Sequence, residues 1–209
     1  MNDYLCKSYH LKETKAHVKR YFEAFSREDV FEHTSEVSAV YDEIITLMNV
    51  SNLTKEQGKI AVLLHDVGRV VDYADIVAFC ENNGKSVSQC ELKALGILHQ
   101  YASKIIAKHV FGIEDTTILN AIECHTTLKA NPSIVDKMVF LSDKLSWKEP
   151  EMADLIYRMK TKLKYNVEDS LDLALFEYHK DMYDKRDSMP CYHDWSSEAY
   201  HYLYKKLSR

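Results

Sequence analysis

The stretch LLHDVGR, Leu63 to Arg69, ends an apolar run with two ionisable residues, His65 and Asp66. The segment TKEQ, Thr54 to Gln57, has the form of a capping box and predicts that a helix begins there. Gly68 is a position at which this helix can loosen. Burying an unpaired carboxylate costs several kcal/mol, so an aspartate at the end of an apolar helix requires a partner.

Helical periodicity continues on both sides of this stretch. Apolar residues from Val30 to Met48 recur at helical spacing and predict a helix from about Arg27 to Met48, with Ser26 as its N-cap. Further helical patterns cover 88–112, 114–126 (capped by Asp115 or Thr116), 131–146, 167–185 and 196–207. No segment alternates as strands do. We therefore expect an all-α fold in a single domain, 1–209, with a core of about 27–148 and a C-terminal helical extension of about 150–209.

Composition excludes several classes of protein. The chain has 27 Lys and Arg against 32 Asp and Glu, a net charge of -5 that argues against general nucleic-acid binding. No apolar run approaches the ~20 residues that span a bilayer, and the N-terminal residues lack a signal-peptide core. These features predict a cytoplasmic protein that binds neither nucleic acid nor membrane.

The cysteines predict no disulfide framework. They are five in number and scattered, without a CxxC motif, and we expect reduced thiols. Their positions are Cys6, Cys80, Cys90, Cys124 and Cys191.

Six ionisable residues on five segments lie on apolar helix faces. They are His33, His65, Asp66, His99, His125 and Asp143. Any one such histidine is more often a hydrogen-bonded core residue than a metal ligand. The two carboxylates, however, need positive charge, and no Lys or Arg lies within the apolar runs beside them. The set therefore favours a divalent cation, and imidazole with carboxylate suits iron, manganese or zinc better than calcium.

The order His, His-Asp, His, His, Asp on successive helices resembles the HD-domain metal-dependent phosphohydrolases. The strings LLHDVGR, LGILHQYASKIIAKHVFGIEDTTILNAIECHTT and DKMVFLSDKL are most similar to the YqeK-like branch, bacterial enzymes that split diadenosine tetraphosphate symmetrically into two ADP. The resemblance covers roughly 32–145. It implies an HD-domain helical bundle with additional C-terminal helices.

The resemblance implies a ligand for each of the six positions and two divalent transition-metal ions. Both ions are expected to be iron, with manganese or zinc as alternatives, and one of them would be held by His33, His65 and Asp143. His99 and His125 would hold the other, and Asp66 would bridge the two. Such ions activate an attacking water and neutralise phosphate oxygens, so no protein nucleophile is needed.

Three further residues are candidates for contact with a phosphate. Arg69 follows Asp66 by three residues, on nearly the same helix face, and stands where the family usually has lysine. We assign it to catalysis together with Asp66, and to substrate binding; a surface pair with Asp72 is the alternative. Thr126 and Lys144 are weaker candidates for substrate binding, and Lys144 has the alternative of a solvated side chain.

The expected substrate is a small nucleotide, and the leading function is symmetrical hydrolysis of diadenosine tetraphosphate. The alternatives are an HD-type nucleotidase acting on (deoxy)nucleoside phosphates and a non-catalytic nucleotide-binding module. The sequence departs from the branch after the last aspartate, where SDKLSWKEP replaces a pattern of the form ADxIEPxR.

The aromatic-rich C-terminal region has two interpretations. Its rings could stack on a base, but we favour core or dimer contacts, which leaves a homodimer open as a partner. The residues are Tyr178, Tyr183, Tyr192, Trp195, Tyr200, Tyr202 and Tyr204.

Overall fold

The computed structural model describes residues 3–5, 14–165 and 169–209. These residues contain α-helices and short 3₁₀ turns but no β-strand, which confirms the predicted all-α class. The helices are α1 (Thr14–Glu23), α2 (Glu28–Leu47), α3 (Asn52–Leu64), α4 (Ile76–Asn82), α5 (Gln89–Lys93), α6 (His99–His109), α7 (Thr116–Cys124), α8 (Ile134–Leu145), α9 (Ala153–Lys162), α10 (Ser170–Asp184) and α11 (Asp194–Leu207).

The centre of the fold is α8, which packs against α2, α3, α7 and α10. Ten of its twelve residues, from Val135 to Leu145, are buried. On α2, the predicted apolar stripe faces inward, with Val37, Tyr41 and Ile44 buried. Burial of these stripes provides the main stabilisation and fixes which faces of α2 and α8 meet. The division into a core of 27–148 and an extension stays a prediction.

Two predicted N-caps are wrong, although α2 begins within one residue of its predicted start. Ser26 has a φ of 53° and α2 begins after Arg27 without a side-chain cap. The TKEQ segment does not open α3, because Ser51 accepts a hydrogen bond from the Thr54 backbone N–H and starts the helix three residues earlier. In contrast, Asp115 caps α7 as predicted.

The HD segment follows the end of α3 rather than continuing it. After His65 the chain turns through Asp66 into a 3₁₀ helix, Val67–Val70, which packs against α6. Gly68 donates its backbone N–H to Ser103 Oγ of α6 at 2.8 Å. A Cβ at Gly68 would overlap the His99 carbonyl oxygen and the Ser103 backbone nitrogen. Glycine here permits the close approach of two backbones, which brings Asp66 beside His99.

The expectation of reduced thiols is wrong for two cysteines. Cys90 of α5 and Cys191, just before α11, form a disulfide across 101 residues of chain. Only the folded chain brings these distant positions to a Cα–Cα separation of 4.9 Å. Cys80 and Cys124 are free and buried, and Cys6 lies outside the described residues.

The C-terminal helices pack on the central bundle, with α10 contacting α8, α9 and α11. Several of the aromatic rings of this region pack on one another; for example, Tyr183 and Tyr200 are stacked at 4.1 Å between centroids. Among the described residues, no helix combines the length and apolar character needed to cross a membrane.

Candidate metal centre

Helix ends bring the six predicted ligands to one place. His65 and His125 each directly follow the last residue of a helix, and His99 is the first residue of α6. Asp143 lies in the last turn of α8, and His33 projects from α2. Asp66, His65 and His125 are about 1% exposed or less, so the cluster is largely removed from solvent.

Asp66 lies between two groups of imidazoles. Its Oδ1 is 3.1 Å from His99 Nε2 and 3.4 Å from His125 Nε2. Its Oδ2 is 3.6 Å from His65 Nε2 and 3.7 Å from His33 Nε2. Asp143 Oδ1 is 3.2 Å from His33 Nε2 and 3.9 Å from His65 Nε2.

Three of the histidines are oriented by the same local hydrogen bond. His65 Nδ1 donates to the Val62 carbonyl at 2.7 Å, and His125 Nδ1 donates to the Ile122 carbonyl at 2.8 Å. His99 Nδ1 donates in the same way to the Gly96 carbonyl. A carbonyl oxygen can only accept, so Nδ1 carries the proton in each ring. The Nε2 lone pairs of these neutral imidazoles therefore point at the carboxylates.

This arrangement leaves electron-pair donors facing one another. His99 Nε2 and His125 Nε2 are 2.8 Å apart, and with both Nδ1 atoms protonated no proton lies between them. Within the described residues, His65 Nε2 and Asp66 Oδ1 are buried without a hydrogen-bond partner. Because buried polar atoms are rarely left unpaired, this donor set fits divalent cations. His33, His65 and Asp143 lie close enough to hold one ion, as do His65, Asp66 and His125.

The expectation that no protein cation lies beside the two carboxylates is wrong. Arg69 Nε is 2.7 Å from Asp66 Oδ2, and Lys144 Nζ is 2.7 Å from Asp143 Oδ2. Arg69 thus pairs with Asp66, and Lys144 is buried rather than solvated. Each cation occupies only one oxygen, so the Oδ1 atoms still face imidazole nitrogens. The case for a metal therefore depends on the opposed lone pairs and not on carboxylate charge alone.

The electrostatics keep the donors in their metal-binding protonation states. Burial lowers the pKa of His65 to about 4 and also lowers the pKa values of His99 and His125. Burial alone would raise the pKa of Asp66, but electrostatic interactions with the adjacent His65 ring and the Arg69 guanidinium outweigh burial and hold that pKa well below its usual range. Ionised carboxylates and neutral imidazoles are the forms that bind metal.

The electrostatics at Asp143 favour the ionised carboxylate, as at Asp66, but they also favour protonation of His33. Burial alone would raise the pKa of Asp143, but Lys144 and His33 lower it overall. Burial opposes protonation of His33, yet its contact with Asp143 raises the pKa of this ring. The Lys144 ammonium therefore holds one Asp143 oxygen while the other faces His33 and His65.

Four of the six candidate ligands line the floor of a cavity of about 530 Å³: His33, Asp66, His99 and Asp143. Arg69, Thr126 and Lys144, the three predicted substrate contacts, all line it. Thr126 Oγ1 lies 3.3 Å from His99 Nε2 and 3.2 Å from His125 Nε2. Their contact with substrate stays a prediction.

Sequence reasoning missed part of the lining. Arg27 was assigned only to the start of a helix, yet it lines the cavity and donates to the Arg69 carbonyl. Trp147 was not singled out either, and it lines the cavity. Tyr178 from α10, one of the rings considered for stacking but favoured as a core or dimer contact, lines the cavity as well. The signal for Trp147 was available, because it follows Asp143 by four residues, about one helical turn.

A family model described as the HD domain matches residues 30–148. The chain belongs to the HD-domain family. All six candidate ligands fall within the matched residues. This confirms the resemblance expected from the sequence.

Known relatives extend the likeness over most of the chain. An "Uncharacterized protein in pepC 5'region" of Lactococcus lactis subsp. cremoris is 36% identical over 75% of this chain and 77% of its own length. A symmetrical bis(5'-nucleosyl)-tetraphosphatase of Halalkalibacterium halodurans is 26% identical over 54% of this chain and 58% of its own. A solved structure titled as a predicted HD superfamily hydrolase involved in NAD metabolism, from Clostridium acetobutylicum, has a TM-score of 0.77 at 24% identity, covering 91% of this chain and 97% of that one. This last likeness supports the fold.

Proposed function

We propose that this chain is a metal-dependent hydrolase of nucleotide phosphoanhydride bonds, and that it splits diadenosine tetraphosphate into two ADP. The observation that carries the proposal is the set of six His and Asp side chains centred on Asp66, four of which line a cavity that Arg69 and Lys144 also line. The Halalkalibacterium relative carries the name of this activity.

His33, His65 and Asp143 would hold one ion, His99 and His125 the other, and Asp66 would contact both. When bound, divalent cations supply the charge that activates water and offsets the developing charge on phosphate oxygens. Iron is the expected metal, with manganese and zinc as alternatives, because imidazole and carboxylate ligands accept all three.

The chain's own residues position the polyphosphate. Arg69 uses Nε to hold Asp66, and its Nη groups donate to no protein group in the described part of the chain. These donors lie in the cavity and suit phosphate oxygens. Water attacks one of the two inner phosphorus atoms and breaks the central P–O–P bridge. One ADP leaves with the bridging oxygen, and the other ADP carries the oxygen that came from water. One proton is released to solvent or to a base.

The test is hydrolysis by purified protein loaded in turn with Fe²⁺, Mn²⁺ or Zn²⁺. With diadenosine tetraphosphate, we expect ADP as the single nucleotide product, resolved by anion-exchange chromatography. AMP with ATP would contradict symmetrical cleavage. Turnover of mononucleotides without turnover of the dinucleotide would establish the nucleotidase instead, and absence of both would favour a binding module.

A matched pair of variants on α6 provides the control. His99→Gln should lower turnover by at least 100-fold (roughly 2.7 kcal/mol in the barrier), because it removes a candidate ligand. His109→Gln changes an exposed histidine ten residues along the same helix and should leave turnover unchanged. Equal activity of the two variants would remove His99 from the mechanism.

A further inference from the structure

One wall of the cavity is aromatic. Trp147 lies just beyond the end of α8, and Tyr178 projects from α10. Their ring centroids are 6.2 Å apart, with planes inclined at 68°. Both line the cavity that contains Asp66 and Asp143. The wall is therefore formed jointly by the matched family region and the C-terminal helices.

The aromatic wall adjoins the candidate metal centre through Lys144. The Lys144 ammonium lies 4.7 Å from the centroid of the Trp147 ring and 5.9 Å from that of Tyr178. The same nitrogen is 2.7 Å from Asp143 Oδ2. If a ligand binds with its phosphate on the cavity floor, the part of the ligand next to that phosphate would contact these two rings.

Packing accounts for Tyr178, which belongs to the buried core, but it leaves Trp147 partly exposed at the border of the core. In the described part of the chain, neither the Trp147 indole N–H nor the Tyr178 hydroxyl has a hydrogen-bond partner, and neither is among the fully buried unpaired atoms, so both polar edges are open to water or to a ligand. A nucleotide has an aromatic base at one end and an anionic phosphate at the other. The aromatic surface, with its free polar edges, matches the base, and the cavity floor matches the phosphate.

We propose that Trp147 and Tyr178 form the nucleobase subsite, in which the base stacks on the Trp147 ring. This inference rests on the proposed function and adds the residues that recognise the nucleoside. Stacking needs a flat ring and not a particular hydrogen-bond pattern, so phenylalanine at position 147 should serve and leucine should not.

The test compares ligands with and without a base. The metal-loaded wild type and the variants Trp147→Phe and Trp147→Leu are titrated with ADP and with inorganic pyrophosphate by calorimetry. We expect Trp147→Leu to bind ADP about tenfold more weakly, which is about 1.4 kcal/mol, and to bind pyrophosphate as the wild type does. Trp147→Phe should remain within about twofold of the wild type for both ligands.

Two results would overturn the subsite. Unchanged ADP affinity in Trp147→Leu would show that the base lies elsewhere. Equal weakening for ADP and pyrophosphate would show that Trp147 acts only by supporting Lys144 and Asp143. If the wild type binds no ADP, the subsite proposal fails as well.

Fluorescence gives a second measurement that does not depend on the leucine variant folding. Trp195 is the other tryptophan and does not line the cavity, so Trp195→Phe leaves Trp147 as the sole reporter. In the zinc-loaded Trp195→Phe protein, ADP should change the Trp147 emission saturably and pyrophosphate should not. The same response to both ligands would contradict stacking. If the wild type hydrolyses diadenosine tetraphosphate but the calorimetry or the fluorescence contradicts stacking, only the subsite is rejected. The proposed function is then retained.

Discussion

Arg69 links the candidate metal centre to the cavity at the scale of one side chain. Its Nε holds Asp66 Oδ2 at 2.7 Å, and its carbonyl accepts from Arg27. Burial would lower the pKa of Arg69, but Asp66 outweighs burial and raises it, so the guanidinium stays charged. It can therefore position Asp66 and bind a phosphate at the same time.

Replacing Arg69 should separate charge from geometry. We expect Arg69→Gln to lower kcat/KM for the dinucleotide by about 10- to 100-fold, or roughly 1.4 to 2.7 kcal/mol, since a charge-assisted contact is lost. Arg69→Lys should recover part of the lost kcat/KM, because lysine restores the positive charge but lacks the paired N–H donors of the guanidinium. Metal content, measured on the same samples, should stay at the wild-type value. Wild-type kcat/KM in Arg69→Gln would contradict this role.

Lys144 shows what the sequence could not reveal at this scale. Beside Asp143 on a helix, a lysine is compatible with either solvent or an ion pair, and the sequence does not distinguish them. In the fold, the Phe140 ring on one side and Trp147 on the other enclose the ammonium. Burial would lower the pKa of Lys144, but Asp143 raises it. Tyr178 of α10, whose ring centroid is 5.9 Å from the same nitrogen, adds a contact that the local sequence does not reveal.

Among the elements, the contact between the Val67–Val70 turn and α6 sets the position of Asp66 relative to His99. Gly68→Ala should overpack this contact and cost about 1–3 kcal/mol, seen as a lower melting temperature. The variant should also lose turnover, because Asp66 is displaced from the imidazoles.

Gly84→Ala is the matched control for Gly68→Ala. Gly84 has a φ of 90° and open space around its Cβ position, so the change costs only backbone strain, about 1 kcal/mol. Turnover should be unaffected there. If Gly68→Ala kept full turnover and had the same melting temperature as Gly84→Ala, the proposed close contact would be refuted.

Helix existence was predictable for a physical reason, and helix starts were less so. Val37, Tyr41 and Ile44 recur at the spacing of an α-helix, and burial of this apolar stripe stabilises the segment as a helix. At the start of α3, Ser51 and Thr54 are each good caps, three residues apart. Which one is used depends on packing of the first turn, and this information is absent from the local sequence.

For the molecule as a whole, spacing along the chain predicted which residues were candidate metal ligands. It did not predict which of them would lie close together in the fold. The six candidate ligands come from 33 to 143 and converge because the ends of α3, α7 and α8 and the start of α6 lie together. The family resemblance supplied that convergence in advance. It did not supply the disulfide between Cys90 and Cys191, or the entry of Tyr178 into the cavity, because both depend on how the C-terminal helices pack.

We propose that Asp66 contacts two metal ions in one centre. The most direct measurement is anomalous diffraction from crystals of the metal-loaded protein, collected on both sides of the metal absorption edge. We predict two peaks, one contacted by His33, His65 and Asp143 and one by His99 and His125, with Asp66 contacting both. Absence of any peak at these residues, or a single peak that does not contact Asp66, would contradict the account.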